Sequence, residues 1–244
     1  MIGIGIVGAE GRMGQAIAAE LSGHEAARVA ARADRGDDLR ALAAGCDVII
    51  DFSSPGALPE TIAAARAASR PLVVGTTGLG AQELAAIDGA AGAIAVLQAA
   101  NMSLGVTLLA HLVREAASRL GPDWDIEIAE MHHRHKVDAP SGTALLLGAA
   151  AAEARGIDLA ANSDRGREGI AGARAPGHIG FAALRGGSVA GDHLVVLAGE
   201  GERIELGHRA ESRAIFARGA VQAALWLKDR PPGRYAMTDV LGLS

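Results

Sequence analysis

The junction between Ile2–Val7 and the run Gly8-Ala9-Glu10-Gly11-Arg12-Met13-Gly14 constrains this chain more than any other feature. A run of apolar and glycine residues suits a buried strand, and the glycines after it suit a tight turn that opens a helix. The residues that follow repeat the alternation. Short β-type runs at Val29–Ala33, Asp47–Asp51, Leu72–Gly75 and Ala93–Leu97 are separated by Ala-rich runs such as Gln15–Leu21 and Pro59–Ser69. Strands interleaved with helices are the signature of a parallel α/β sheet with its ligands at the strand ends.

The pattern changes after Leu104. A helix to about Leu120 is stopped by Gly121-Pro122, Asp125–Met131 reads as a strand, and Thr143–Ala154 reads as a helix ending at Gly156. Asn162–Gly177 is a loop rich in glycine and charge. From His178 to Ala210 the runs IGFAALRG, SVAGDHLVVLAGE and ERIELGHRA alternate apolar and polar residues, as half-buried antiparallel strands do. This predicts a second, sheet-forming domain. The helix Arg213–Leu227, before the Pro231-Pro232-Gly233 turn, is expected to return to the first domain.

Composition narrows the function. Half of the 244 residues are hydrophobic but only 2% are aromatic, so the core is built from Ala, Val, Leu and Ile. A formal charge of −5 offers no field for phosphate backbones, and three Phe, two Trp and one Tyr cannot make a base-stacking platform. Nucleic acid is therefore not the expected partner. The single cysteine, Cys46, cannot form an internal disulfide, and Met1 leads at once into the first strand without a basic leader, which together predict a cytoplasmic protein. The uncharged stretch from Gly89 to Val113 is broken by Gln98, Asn101, Ser103, Thr107 and His111, and reads as strand, loop and helix, not as a membrane span.

In the glycine run, amides at the helix start can hold a pyrophosphate, and the glycines let it approach without a clash against Cβ. The spacing is G-x-x-G-x-x-G, so a purely structural turn is the alternative. At the end of the second strand, Asp34 can accept from an adenosine ribose and Arg35 can pair with a 2′-phosphate, which points to use of both NADH and NADPH. The alternative there is a solvated charged turn. Gly75-Thr76-Thr77-Gly78 and Ala99-Ala100-Asn101-Met102 end later strands on the same ligand-binding edge.

The densest chemistry lies in Glu130-Met131-His132-His133-Arg134-His135-Lys136-Val137-Asp138-Ala139-Pro140-Ser141-Gly142-Thr143. Three histidines, an arginine and a lysine suit a small polyanion that must be both held and protonated near neutral pH. Ser141-Gly142-Thr143 then opens a helix whose free amides suit a carboxylate. A solvated basic turn is one alternative. A metal site on His133 and His135 is another, opposed by the cations of Arg134 and Lys136. His24, His111, His178, His193 and His208 are isolated and receive no role.

Gly8–Gly14, Gly75–Gly78, Asn101-Met102-Ser103, Glu130–Ala144 and Phe216-Ala217-Arg218-Gly219-Ala220 together, in that order, resemble the 4-hydroxy-tetrahydrodipicolinate reductase family over essentially the whole chain. The resemblance implies a Rossmann-type dinucleotide-binding domain (residues 1–103 and 213–244) and an α+β mixed-sheet domain (residues 104–212) that binds substrate and builds a homotetramer. It implies that Gly8, Ala9, Glu10, Gly11, Arg12, Met13, Asp34, Arg35, Gly75, Thr76, Thr77, Ala99, Ala100, Asn101 and Met102 contact NADH or NADPH. By the same resemblance His132 gives or takes the proton, Lys136 donates one, and His133, Gly142 and Thr143 bind a carboxylate of a small dicarboxylate substrate. Met102 stands where many members carry Phe. Competing expectations are a dehydrogenase for another amino-acid-like substrate, such as aspartate, and a non-catalytic dinucleotide sensor.

Overall fold

The computed structural model describes residues 1–243. Backbone contacts divide them into two compact units, Met1–Leu104 with the segment from Arg213 onward, and Gly105–Ser212.

The first unit runs β1 (Ile2–Val7), α1 (Arg12–Glu20), β2 (Ala27–Ala33), α2 (Leu39–Ala44), β3 (Val48–Asp51), α3 (Leu58–Ala67), β4 (Leu72–Val74), α4 (Ala81–Ala91) and β5 (Ala95–Gln98). β1 lies between β2 and β3 with both faces covered, so Gly3–Val7 are all buried although they do not alternate in polarity. Its glycines make room for helices: a Cβ on Gly5 would stand 2.8 Å from Cys46 Sγ and 2.9 Å from Leu42 Cδ2. Asp38 caps α2, accepting from the amides of Arg40 at 2.9 Å and Ala41 at 3.2 Å. β2 is the sheet's outer strand and is longer than expected, starting at Ala27, because an edge tolerates the exposed Arg28 and Arg32.

The second unit runs α5 (Leu104–Leu120), β6 (Asp125–His132), α6 (Gly142–Arg155), β7 (Ser163–Asp164), β8 (Ile179–Arg185), β9 (Gly191–Gly199) and β10 (Glu202–Ala210), with sheet order β10-β9-β6-β8-β7. Ile126 and Ile128 of β6, Ile179 and Phe181 of β8, and Val195 and Leu197 of β9 point to one face and pack against Leu109, Val113 and Leu147 of the helices. β9 and β10 are antiparallel as expected, but β8 runs parallel to β6. Alternation of polarity reports which face a side chain takes and not strand direction. The direction is set by α6, which carries the chain back over the sheet between β6 and β8. The loop expected over 162–177 also contributes β7, which pairs with β8 through Ser163 and Asp164.

The chain then re-enters the first unit as α7 (Ala214–Leu227), β11 (Gly233–Tyr235) and α8 (Met237–Val240). The Pro231-Pro232-Gly233 turn leads into β11, a strand the sequence pattern did not suggest. It extends the parallel sheet to β11-β5-β4-β3-β1-β2. α7 buries Ala217, Ala220, Val221, Ala224 and Leu227 against the sheet, and Gly219 lies so close to the Met102 carbonyl that any Cβ would overlap it.

Candidate active site

In the first sheet the strand order reverses between β1 and β3, and open α/β sheets bind ligands in the crevice at such a point. β1 ends there in Gly8, whose φ of +78° and whose approach to the Phe52 carbonyl, 2.6 Å from a Cβ, both require glycine. A Cβ on Gly14 would overlap the Gly8 carbonyl, so this glycine lets α1 start against the turn. The loop spends most of its own donors. Gly8 and Ala9 donate to the Ala33 carbonyl at 2.9 and 3.3 Å, Gly11 donates to Gly8 at 3.1 Å, and Glu10 donates to the Asp34 carboxylate at 3.1 Å. The amides of Arg12 and Met13 have no acceptor among the described residues, and α1 has no side-chain cap. Those two donors, at the positive end of a helix, face an anion's natural position.

A cavity of about 750 Å³ opens beside them, lined by Gly8, Gly11, Asp34 and Arg35 of the expected residues and by Phe52, Ser53 and Glu60, which were not anticipated. Ala9 is buried beneath the loop, and the side chains of Glu10 and Arg12 are exposed. Gly75, Thr76 and Thr77 follow β4, and Ala99, Ala100, Asn101 and Met102 follow β5, so they lie farther along the same sheet edge and outside this cavity. From β2 to β5 that edge spans roughly 19 Å at the usual strand spacing. Thr76 commits its hydroxyl to the buried Asp51 at 2.7 Å, and Met102 is 2% exposed within the core. Either would meet a ligand through its backbone. Free helix-start amides, a crevice that side chains would fill, and an acceptor beside Arg35 fit an extended dinucleotide.

The second unit builds its site from one alternation. Along the covered face of β6 the inward residues pass from Ile126 and Ile128 to Glu130 and His132. On β9 they pass from Leu197 and Val195 to His193, and β8 ends in Arg185, paired with His132. One end of this face is hydrocarbon and the other is charged. The Glu130 side chain is 1% exposed and accepts four hydrogen bonds, from Arg185 Nη1 at 2.7 Å and Nη2 at 2.8 Å, His132 Nδ1 at 2.6 Å and the Ser141 amide at 3.1 Å. Burial opposes its charge, but Arg185 and His132 outweigh it and hold the carboxyl below the usual range. His193 meets His132 edge to face at 5.2 Å, and its Nε2 lies 3.0 Å from Ser141 Oγ. Burial first, and then the neighbouring His132, push His193 down to about 4, so it is neutral near pH 7.

His133–Ala139 form a loop above this cluster. Lys136 Nζ lies 2.8 Å from both carboxylate oxygens of Asp138, and Arg185 Nη2 donates to the Asp138 carbonyl at 2.6 Å. Lys136 in turn keeps the Asp138 carboxyl below the usual range. The chain then enters α6 at Ser141, whose Oγ accepts from the Ala144 amide at 3.1 Å, with Gly142 exposed and Thr143 half-buried in the first turn. His132 at the end of β6, Lys136 on the loop, and Gly142 and Thr143 at the helix start thus fall on one continuous stretch, joined to Glu130, Arg185, Ser141 and His193. Sequence reasoning gave Arg185 and His193 no role, placed Glu130 only as a member of the segment 130–143, and used Ser141 only as the opening of the helix. A signal existed for three of them, since Glu130 and His193 share the phase of buried Ile and Val residues and Arg185 that of Phe181, where a polar group must find partners. The rings of His133 and His135 are 6.3 Å apart, and the described residues contain no group of three or more His, Cys, Asp or Glu placed to hold a metal.

Comparison with known proteins points the same way for both units. The family profile described as dihydrodipicolinate reductase, N-terminus, matches residues 2–102, and that described as dihydrodipicolinate reductase, C-terminus, matches residues 105–241. A 4-hydroxy-tetrahydrodipicolinate reductase of Zymomonas mobilis is 56% identical over 98% of this chain and 97% of its own. One from Methylocella silvestris is 59% identical over 85% of this chain and 76% of its own. Among solved structures, a dipicolinate-bound dihydrodipicolinate reductase from Paenisporosarcina superposes with a TM-score of 0.82 at 25% identity, covering 98% of both chains.

Proposed function

Because the chain belongs to the dihydrodipicolinate reductase family, we propose that it reduces 4-hydroxy-tetrahydrodipicolinate to tetrahydrodipicolinate, with loss of water, in lysine and diaminopimelate biosynthesis. The observation that carries this reading is the Glu130–His132 pair, buried beside the opening turn of α6 and followed by Lys136 on the adjoining loop. It joins a proton-transfer group to an anion site, which is what a dicarboxylate that must gain a proton requires.

Residues 1–103 with 213–244 form the dinucleotide-binding domain, and 104–212 the substrate-binding and oligomerisation domain. When bound, NADH or NADPH supplies a hydride. The amides of Arg12 and Met13 hold its pyrophosphate, Asp34 and Arg35 meet the adenosine ribose, and the loops at 75–77 and 99–102 take the nicotinamide end. One carboxylate of the substrate lies on the α6 amides at Gly142 and Thr143, assisted by His133. His132 and Lys136 stabilise the negative charge that develops on the conjugated imine and provide its proton. Substrate competes with Asp138 for the Lys136 ammonium, so binding releases Lys136 for this role.

Asp34 beside Arg35 supports use of both dinucleotides, since one accepts from a ribose and the other can pair with a 2′-phosphate. Four copies assemble through the sheet face of the second unit that no helix covers, where Leu184 and Leu194 are 57% and 36% exposed. The buried, unpaired Cys46 fits a cytoplasmic enzyme, and no described helix is long and apolar enough to cross a membrane.

The test follows oxidation of NADH and NADPH with freshly generated 4-hydroxy-tetrahydrodipicolinate. Substrate-dependent turnover is expected with both. His132→Gln and Lys136→Ala should each lower kcat by about 10²–10⁴-fold with dinucleotide affinity unchanged. Wild-type kcat in both variants refutes the assigned roles, and NADH binding without turnover in the unaltered protein would identify a sensor instead.

A further inference from the structure

A carboxylate as far from water as Glu130 is stable only if its lone pairs are filled. Its four donors come from Arg185 at the end of β8, from His132 two residues along β6, and from Ser141, the cap of α6. One side chain therefore ties together the proton-transfer histidine, the loop above it and the helix start that faces the substrate's carboxylate. Arg185 extends the tie, because the guanidinium that grips Glu130 also holds the Asp138 carbonyl.

An ionised carboxylate can only accept hydrogen bonds, so the His132 nitrogen that faces it must carry the hydrogen. That nitrogen is Nδ1. Nε2 is then the nitrogen left with a free lone pair, and it lies against Gly191, where a Cβ would stand 3.0 Å away. We propose that Glu130 is a positioning residue for the reduction: it fixes His132 with hydrogen on Nδ1, leaves Nε2 as the nitrogen that serves proton transfer, and balances the imidazolium, while Arg185 holds Glu130 in place. The arrangement has the logic of a buried carboxylate that orients a catalytic imidazole. The catalytic part rests on the reading that His132 moves a proton in this reaction. The assignment of hydrogen to Nδ1 rests on geometry alone.

The charged and titratable groups around the ring are Glu130 on its own strand, Arg185 from β8, His193 from β9 with His208 of β10 paired beyond it, and Lys136 with Asp138 in the following loop. Of these, only Glu130 bonds the ring directly.

Two measurements test the proposal on the full-length protein. Nitrogen–proton correlation NMR, with His132 identified by its loss in His132→Gln, is expected to show hydrogen on Nδ1. Glu130→Gln is expected to lower kcat about 10²-fold. KM and NADH binding should stay near wild type, so that the loss falls on kcat alone. Hydrogen on Nε2 in the wild type overturns the proposal, as does a Glu130→Gln enzyme with wild-type kcat. If Glu130→Gln does not fold, the spectrum of the wild type decides. Absence of turnover in the wild type would overturn the reaction and the catalytic part of the proposal, while the imidazole assignment would still stand or fall on the spectrum.

Discussion

His193 shows how position alone sets the state of a residue. It is 6% exposed, its Nε2 meets Ser141, and its Nδ1 has no partner among the described residues, so a charge there would lack water and a hydrogen-bonded counter-ion. Burial accordingly keeps it neutral down to about pH 4. In the unfolded chain the same imidazole takes up a proton near its ordinary value of about 6.5. Between those limits the unfolded state binds more protons, so the stability that neutral His193 contributes is complete above about pH 6.5 and declines as pH falls toward 4. Roughly 2 kcal/mol should be lost between pH 7 and pH 5 from this group. Urea unfolding of His193→Asn at the two pH values should show a correspondingly smaller drop than the wild type; equal drops would mean that other groups control acid sensitivity. Asp51 solves the same problem by saturation, since Ser53, Thr61 and Thr76 all donate to it and so tether the ends of β3 and β4.

Among the elements, α7 is placed by what it lacks. Its buried face is mostly alanine, and Gly219 brings the helix backbone against the Met102 carbonyl. Gly219→Ala should push the helix off the strand-end loop and destabilise the fold by about 1–3 kcal/mol, even though alanine is the better helix former. A denaturation midpoint equal to that of the wild type would show that the contact yields without strain. The strength of periodic signals explains which elements were legible. β1, α5, β6, β9 and β10 each carry a sustained pattern and lie where that pattern puts them. β7 and β11 are two and three residues long, too short for any period, and exist because a neighbouring strand offers its unpaired edge. The parallel sense of β8 was equally hidden, because a strand of the same polarity pattern can run either way.

For the molecule as a whole, the second unit presents a sheet with one face packed on α5 and α6 and one face that no described helix of the same unit covers. Ala129, Met131, Leu184 and Leu194 border a shallow depression of about 470 Å³ there. Apolar side chains on an open sheet face are a liability for a lone subunit and an asset for an assembly. Paired substitution Leu184→Glu with Leu194→Glu should therefore break the proposed tetramer into smaller species in light scattering. A wild-type protein that is already a monomer, or a double variant of unchanged mass, would remove this face from the assembly.

The sequence alone determined that a parallel sheet begins with a glycine turn, that a second sheet follows Leu104, and that positions 130–143 hold the polar chemistry. These are local matters, decided by periodicity, by backbone freedom at glycine, and by the density of ionisable groups. Only the tertiary structure decided that Arg185 and His193, distant along the chain, meet Glu130 and His132, because strand register and not sequence separation sets which side chains share a rung. The same packing withdrew Met102 and the Thr76 hydroxyl into the interior, and left Arg12 and Met13 with the amides that an anion can reach.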